Sequence, residues 1–340
     1  MKKKLLHSLY ALTLAAFTAI GSAGADFTVF AADTATEAAS ESDEDYGVVE
    51  IQSGDRTVTF TSMPKRVVCV EDVYVEELLA LGLQDVVVGR GRDRVNDILP
   101  EYQEAYSEIP LIDPNGTDSS TYPSYEMIIS LEPDLVMADH FDDKYNASFE
   151  SYAEKGANCL QKSAIYAELP SCQQVYDDLT NLGKIFKVED RAQELIDELQ
   201  GRIETVSEKI GDVEEPLKVV VCDSQDGNEI FTAGKHLESE LIRLAGGENV
   251  FAADAEKSWM TVSAEQIVEA NPDVVVFNAY GTTPVEDKIE EFKNTAAFAD
   301  LPAVKNDRLY PITLLDVYDS IHIAQGVETL AKEFYPDKFE

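Results

Sequence analysis

The sequence predicts an α/β fold in which two doubly wound parallel-sheet lobes are joined by one long helical linker, with a ligand cleft between the lobes. Three observations predict it. An internal repeat gives two copies of a strand-helix-strand unit, and a long helical pattern separates the copies. The 340 residues also suffice for two lobes that each bury a core.

The internal repeat aligns residues 126–137 with residues 265–276 without a gap. In both copies a glutamate begins a short apolar helix, a Pro-Asp pair breaks it, and an apolar strand follows. A looser match pairs the strand and helix of residues 66–82 with those of residues 218–246. The repeat therefore predicts two related lobes.

The linker is predicted from Ser171 to Ile210, within a segment assigned to residues 170–211. Apolar residues recur at three- and four-residue steps on both sides of Lys187 to Asp190, which is the helical period. Pro170 precedes the pattern and Gly211 follows it, as helix start and stop signals require. We expect this segment to hold the lobes rigidly.

The first residues have the pattern of a secretory signal peptide. A Lys-rich start precedes an apolar run from Leu9 to Ile20, and we place the leader at residues 1–25, with cleavage up to residue 32 as an alternative. The run is too short for a stable membrane anchor. Because no lipobox cysteine lies near the cleavage site, we expect a protein secreted across the cytoplasmic membrane and free in the periplasm or at the cell surface.

Strand and helix patterns alternate in both lobes, which favours parallel sheets. An acidic spacer at residues 26–46 is predicted to be disordered, and a hairpin is expected around Gly54-Asp55. The N-terminal lobe is assigned to residues 47–169 and the C-terminal lobe to residues 212–340. Core strands are predicted at residues 66–70, 86–88, 135–138, near 159, 219–222, 274–277 and 308–312. Helices are predicted at residues 73–81, 125–131, 141–155, 238–245, 264–270, 285–294 and 321–334, and an irregular stretch at residues 97–123.

Composition limits the function classes. A hydrophobic content of 44% with 14 Phe and 15 Tyr is typical of a globular protein. The net charge of −38 argues against a nucleic-acid partner, because binding of a phosphate backbone needs a basic face. Such acidity is usually a solvated surface, and a cationic ligand or a basic docking partner is the alternative.

The four cysteines do not form a metal-binding pattern. Cys69 and Cys222 occupy equivalent strands of the two lobes and are predicted to be buried apolar residues. Cys159 and Cys172 are close in sequence, and a disulfide between them stays open.

Several short motifs follow one another from about residue 48 to the end: Pro64-Lys-Arg-Val-Val, Glu77-Leu-Leu-Ala-Leu-Gly, Val88-Gly89-Arg90, Glu126 to Val136, Gly246-Gly247-Glu-Asn-Val-Phe251, Trp259 with Val262 to Gln266, Leu301 to Arg308, and Tyr335-Pro-Asp-Lys-Phe. Their order and spacing resemble the substrate-binding proteins of iron-complex and cobalamin ABC importers. The resemblance implies two α/β lobes bridged by one long helix that allows little hinge closure.

The resemblance also implies a function. The protein is expected to capture a metal chelate, first a ferric siderophore, with haem or cobalamin as alternatives, and to deliver it to an ABC permease in the cytoplasmic membrane. No cofactor is implied, since the Fe(III) chelate is the ligand, and we expect a monomer without enzyme activity. An extracytoplasmic enzyme, or a surface protein that holds haem or metal, is the alternative. Against an enzyme, the sequence has no Gly-x-Ser-x-Gly elbow, no His-Glu-x-x-His motif and few histidines.

In the family that this sequence resembles, one exposed glutamate on each lobe meets basic residues of the permease. The resemblance places the N-lobe glutamate at Glu126 and the C-lobe glutamate at Glu240, with Glu238 as a rival. The alternative is that acids near helix starts only stabilise the helix dipole.

Ligand-binding residues are expected just after strand ends. Gly89 to Arg94 follows a strand, so the guanidinium groups of Arg90 and Arg92 are expected to pair with carboxylate or catecholate oxygens of an anionic chelate. The alternative is a solvated loop in which Arg92 and Arg94 pair with Asp93 or Asp97. The aromatic candidates, each with a core role as its alternative, are Tyr74, His140, Trp259, Tyr280 and Tyr318.

Two further features bear on the cleft. His140 directly follows a predicted strand, and a haem receptor needs a Tyr or His on the iron. Whether the protein contacts a metal directly stays open. The element after the last strand lacks the Ser-Pro-Arg of many relatives, and Asp316 and Asp319 predict a more acidic wall there.

Overall fold

A computed structural model describes residues 46–114, 122–142 and 147–340. The N-terminal lobe has strands β1 Val49–Ser53, β2 Arg56–Phe60, β3 Val67–Cys69, β4 Val87–Arg90, β5 Leu135–Met137 and β6 Asn158–Leu160, and helices α1 Asp72–Ala80, α2 Gln103–Glu108, α3 Tyr125–Ile129 and α4 Phe149–Ala153. A parallel sheet has the order β4-β3-β5-β6, and β1 pairs with β2 in an antiparallel hairpin. The hairpin and the parallel sheet are as predicted.

Two helices, α5 Cys172–Phe186 and α6 Glu189–Ile210, form the linker that was expected to be a single helix. Lys187 ends α5 in a left-handed conformation with a φ of 56°. A β-carbon on Gly183 would come within 2.8 Å of the Ala192 Cβ, so the helices pack side by side at this glycine. The helical period was therefore read correctly, but the turn between the two helices was not predicted.

The C-terminal lobe has strands β7 Leu217–Cys222, β8 Ser224–Asp226, β9 Glu229–Ala233, β10 Gly247–Asn249, β11 Trp259–Ser263, β12 Val274–Ala279 and β13 Leu309–Thr313, and helices α7 Leu237–Leu244, α8 Ala264–Ala270, α9 Val285–Asn294, α10 Pro302–Lys305 and α11 Ile323–Phe334. A parallel sheet has the order β10-β7-β12-β13, and an antiparallel sheet has the order β11-β9-β8. The parallel sheet confirms the α/β class; the antiparallel sheet and β10 were not predicted.

The internal repeat has the same hydrogen bonds in both lobes. The Asp134 carboxylate accepts the backbone N–H groups of Lys65 and Arg66 at 2.8 and 2.9 Å. The Asp273 carboxylate likewise accepts the Lys218 N–H at 3.0 Å. The aspartate before β5 is thus bonded to the residues just before β3, and the aspartate before β12 to the start of β7. This shared role explains why the Pro-Asp motif recurs at equivalent places in the two lobes.

Helix α6 joins the lobes. Near its start the Arg191 Nε donates to the Ala80 carbonyl oxygen of α1 at 3.0 Å, and further along Arg202 pairs with Glu328 of α11 through contacts of 2.8 and 3.1 Å. One apolar core runs through both lobes and the linker, including Leu199 of α6. This packing opposes hinge motion between the lobes.

Some local predictions need correction. Tyr46, which was assigned to the disordered spacer, is buried, and its hydroxyl donates to the Ile185 carbonyl oxygen at 2.7 Å. The helix expected over residues 141–155 is formed only as α4 within the described residues. Helix α2 lies in the stretch that was expected to be irregular. The leader and the rest of the spacer lie outside the described residues.

All four cysteines are buried free thiols. Cys69 and Cys222 lie in β3 and β7, as predicted. The disulfide that was left open between Cys159 and Cys172 is not formed. In the described part of the chain, no helix combines the length and apolar character that a bilayer span requires.

Candidate ligand-binding site

Two adjoining cavities lie between the lobes, at the carboxyl ends of the parallel strands. Their volumes are about 350 and 100 Å³, and both are lined by Asp139, His140 and Tyr318. The larger cavity is also lined by side chains that include His236, Trp259 and Asp319, and the smaller one by Glu71, Asp72, Arg92, Arg94 and Tyr122. Because both lobes contribute, this is the cleft that the fold class predicts. Small-molecule sites typically measure roughly 300–1,000 Å³.

One wall of the larger cavity is aromatic. The β9–β11 pairing sets Trp259 opposite Ala233, which places its indole beside Phe231 on the same face, stacked at 5.4 Å between ring centroids. The His236 ring lies 4.5 Å from Trp259 and 6.4 Å from Tyr318. His236, Trp259 and Tyr318 line this cavity and present flat faces to a ligand, whereas Phe231 is not part of the cavity lining.

His236 has a defined chemical state in this wall. Its Nδ1 caps helix α7 by accepting the Glu238 N–H at 3.3 Å, so the ring proton resides on Nε2. Burial lowers the pKa of His236 to about 4. The imidazole is therefore neutral near pH 7 and has an N–H donor rather than a lone pair free for a ligand.

Three acids approach the cavities from different elements. Glu71 follows β3, and its carboxylate accepts the Asp139 N–H at 3.1 Å; Asp139 follows β5 and accepts the Tyr74 hydroxyl proton at 3.0 Å. Asp319 follows β13 in the other lobe. Burial raises the pKa of all three carboxyl groups, and Lys162 opposes the rise at Asp139 and Asp319. The protonated form of each carboxyl group is therefore more favoured in the cleft than in water.

The arginine loop supplies one guanidinium with unused donor capacity. Arg92 is 8% exposed and lies 4.8 Å above the Tyr122 ring. Among the described residues its Nη1 has no hydrogen-bond partner. Arg94 instead approaches Asp72, with 3.4 Å between Nε and Oδ2. Arg92 is thus the basic group best placed to donate a hydrogen bond to an oxygen atom of a ligand.

Arg90 is not brought to the cavity, contrary to expectation. Its Nε donates to the Ile109 carbonyl oxygen at 3.0 Å, and its Nη1 contacts both the Arg92 carbonyl oxygen and Asp93 Oδ1, the latter at 2.9 Å. The guanidinium also lies 4.5 Å above the Tyr106 ring. These contacts use its donors inside the lobe, so Arg90 organises the loop that carries Arg92.

Two predicted aromatic residues also lie away from the cavities. Tyr74 is 2% exposed and sits behind the acids, where its hydroxyl donates to Asp139 and accepts the Lys162 N–H at 3.0 Å. Tyr280 donates to Asp223 Oδ2 at 2.6 Å and lies under the Lys288 ammonium group. Neither side chain lines the two cavities.

Four of the predicted residues are brought together: Arg92, His140, Trp259 and Tyr318. Sequence reasoning missed Glu71, Asp139, Tyr122 and His236. The two acids had a usable signal, because each lies two residues beyond the end of a core strand. Tyr122 and His236 lie in loops, and no periodic pattern marks them.

A buried triad joins the lobes beside the cavities. His322 Nε2 lies 2.8 Å from Glu76 Oε2 of the N-terminal lobe, and its Nδ1 lies 2.8 Å from Asp316 Oδ1. Burial alone would lower the pKa of His322, but these two hydrogen bonds raise it to about 9. Asp316 therefore supports the loop that carries Tyr318 and Asp319. Asp316 and Asp319 were both expected on an acidic wall of the cleft, but only Asp319 lines a cavity.

The proposed docking glutamates differ in their surroundings. Glu126 is exposed in the first turn of α3, whereas Glu240 forms two contacts with Arg243, at 2.7 and 2.9 Å. The rival Glu238 is fully buried, and burial raises its pKa to about 8, so it is unsuited to docking. In the internal repeat the counterpart of Glu126 is Glu265, which is exposed in the first turn of α8.

Direct ligation of iron by the protein is not evident from the cavity walls. Among the described residues no group of three or more His, Cys, Asp or Glu side chains is placed to hold a metal ion.

Comparisons with known proteins agree with this geometry. The family model described as periplasmic binding protein matches residues 67–313. YvrC of Bacillus subtilis, an uncharacterized ABC transporter substrate-binding lipoprotein, is 26% identical over 313 residues, or 91% of this chain and 92% of that protein. The Fe(3+)-citrate-binding protein YfmC of the same species is 25% identical over 297 residues, or 85% of each chain. A crystal structure from Saccharomonospora viridis, an ABC-type Fe3+-hydroxamate transport system, has a TM-score of 0.73 and 25% identity, over 84% of this chain and 98% of that chain.

One relative corrects the expected localisation. We expected a protein without a lipid anchor, because no cysteine lies near the predicted leader cleavage site. YvrC, which matches 91% of this chain, is a lipoprotein. The expectation of an unanchored protein that diffuses freely is therefore wrong.

Proposed function

The chain belongs to the periplasmic binding protein family, and from that premise we propose that it is the extracytoplasmic solute-binding component of an ABC importer for an iron chelate. Two of the similar proteins handle Fe(3+)-citrate and Fe3+-hydroxamate. A ferric siderophore is the first candidate ligand, with haem or cobalamin as alternatives. The protein takes up the chelate outside the cytoplasmic membrane and delivers it to the permease.

The observation that carries this proposal is the cavity between the lobes. Its walls combine aromatic faces with hydrogen-bond donors, and the donors are the Arg92 guanidinium and the His236 Nε2–H. Ferric siderophores present many oxygen atoms on a partly apolar body. The oxygen atoms can accept hydrogen bonds from these donors, and the apolar parts can contact the aromatic faces. Apolar walls with few fixed polar groups are typical of small-molecule sites.

Calorimetric titration tests the proposal. Purified protein is titrated with ferric hydroxamate, catecholate and citrate complexes, then with haem and cobalamin. We expect saturable binding of one chelate class at micromolar concentration or below, and no binding of the same chelator without iron at that level. Absence of binding across the whole panel would contradict the proposed function.

We propose that Glu126 and Glu265 dock on basic residues of the permease. Both are exposed in the first turn of equivalent helices, whereas Glu240 is held by Arg243. Reversal of charge in the double variant Glu126→Lys/Glu265→Lys is expected to abolish uptake while chelate affinity stays unchanged. Glu240→Lys is the matched control, and loss of uptake in that variant alone would restore Glu240 as the docking residue.

We further propose that the protein acts as a monomer and by binding rather than catalysis. The similar proteins named above belong to transport systems, which supports a carrier role. Light scattering measures the molar mass with and without chelate. Mass spectrometry of the released ligand is expected to recover it unaltered, and a modified ligand would favour the enzyme alternative.

A further inference from the structure

We propose that the chelate carries a positively charged amine, which binds between Asp139 and Asp319 against the faces of Trp259 and Tyr318. This inference rests on the proposed function and names the chemical class of its ligand. It concerns the larger cavity, which all four side chains line.

Two carboxylates from opposite lobes lack a cationic partner in this cavity. Asp139 follows β5 of the N-terminal lobe, and Asp319 follows β13 of the C-terminal lobe. Within the described ranges neither forms an ion pair with a Lys or Arg side chain, and Asp139 receives a hydrogen bond from the neutral Tyr74 hydroxyl. Two like charges that face one cavity repel each other, and a bound cation relieves that repulsion.

The nearby cations of the protein are engaged elsewhere. The Lys162 ammonium contacts the Glu77 carboxylate, and both side chains are 1% exposed. Arg94 lies against Asp72, and Arg92 lies over the Tyr122 ring of the smaller cavity. Lys162 acts on both Asp139 and Asp319, and His140 acts on Asp139, but burial still leaves the pKa of both carboxyl groups raised. A cation of the ligand would supply compensation that the protein gives only in part.

The aromatic wall favours an organic ammonium over a bare metal ion. Trp259, Tyr318 and the neutral His236 ring lie together, and the faces of aromatic rings attract ammonium groups. Carboxylates beside aromatic faces suit an amine, whereas the described residues offer no group of three or more metal-ligating side chains.

A second, independent observation that points to a ligand comes from the smaller cavity. Glu71 is 8% exposed, and its Oε1 has no hydrogen-bond partner among the described residues; the same holds for the Arg92 Nη1. Both side chains line this cavity. An acceptor and a donor are thus unsatisfied at one end of the site, which suits the oxygen and N–H groups of a chelator, while the acids at the other end suit its amine.

A matched pair of chelates tests the inference. A linear ferric tris-hydroxamate that ends in a primary ammonium group is compared by calorimetry with the same chelate after N-acetylation, and a ferric catecholate with a free or acetylated amine forms a second pair. The wild-type protein is expected to bind the free amine about 10- to 100-fold more tightly in at least one pair, as a charge-assisted contact predicts. Asp319→Asn is expected to remove most of this preference, so that the ratio of the two affinities falls towards one.

The outcomes separate this inference from the proposed function. The control is Asp337→Asn, which changes an exposed acid that lines neither cavity. This variant is expected to keep the full preference for the free amine. Equal binding of free and acetylated forms, or a preference that survives Asp319→Asn, overturns the inference. Binding confined to haem or to ferric citrate also overturns it but leaves the proposed function intact. If no iron chelate binds at all, the proposed function itself fails.

Discussion

Replacement of His322 by Leu is expected to weaken the junction between the lobes in a pH-dependent way. The imidazole lies between Glu76 and Asp316 at 2.8 Å from each, and its side chain is 1% exposed. Leucine fills similar space but leaves both carboxylates without this partner. The Leu99 N–H still binds Glu76 Oε1 at 2.8 Å, so Glu76 loses one of its two contacts.

The size of the effect follows from the pKa of His322. The hydrogen bonds to the two acids raise this pKa from an ordinary 6.5 to about 9. One pKa unit corresponds to about 1.4 kcal/mol, so the protonated histidine contributes about 3 kcal/mol to the free energy of unfolding. Because the folded pKa is the higher one, this contribution is complete below about pH 6.5 and is lost as the pH rises through about 9.

Urea unfolding at pH 6 and at pH 10 measures this contribution. The difference in unfolding free energy between wild type and His322→Leu is expected to be about 3 kcal/mol larger at pH 6. Titrating groups that do not contact residue 322 affect both proteins alike, so they cancel in the difference. A difference that does not depend on pH would refute the reasoning, because it would mean that His322 is neutral in the folded protein.

Two further predictions concern the other buried charges. Arg92→Ala is expected to weaken binding of the ferric chelate about 10- to 100-fold in calorimetry, because the Nη1–H groups are available to donate to a ligand oxygen. Arg90→Ala should lower stability rather than affinity, and the reverse pattern would return Arg90 to the cleft. Lys162→Met is expected to cost about 3–5 kcal/mol in urea unfolding, because it leaves Glu77 buried without its cation. The double variant with Glu77→Gln should recover most of this loss, and a double variant as unstable as the single one would contradict the ion-pair explanation.

Most of the fold could be predicted from local patterns in the sequence. The Pro-Asp pairs recur because Asp134 and Asp273 hold equivalent turns, and the central strands at Cys69 and Cys222 are short apolar runs. The antiparallel sheet was not predicted, because β8 is a polar three-residue strand without an alternation of apolar and polar residues. The turn at Lys187 was not predicted, because a glycine marks a left-handed helix end in a sequence and a lysine does not.

The site was predicted only in part, for a physical reason. Aromatic residues next to strand ends gave a usable signal, and Trp259 and Tyr318 do line the cavity. Arg90 and Arg92 look alike in sequence. In the fold, the Ile109 carbonyl oxygen accepts a hydrogen bond from Arg90 but not from Arg92. Asp139 was not singled out in the sequence, and its burial depends on long-range packing. Which groups remain unsatisfied in a cavity is a property of the folded chain.

The most direct test of the central claim is the emission of Trp259, the single tryptophan of the sequence. Its indole lies in the cavity wall, so a ferric chelate bound there is expected to quench its fluorescence. The account predicts saturable quenching by one ferric chelate class, with the same dissociation constant that calorimetry gives. Calorimetric binding without any change in Trp259 emission would contradict the account, because the chelate would then bind away from the cleft between the lobes.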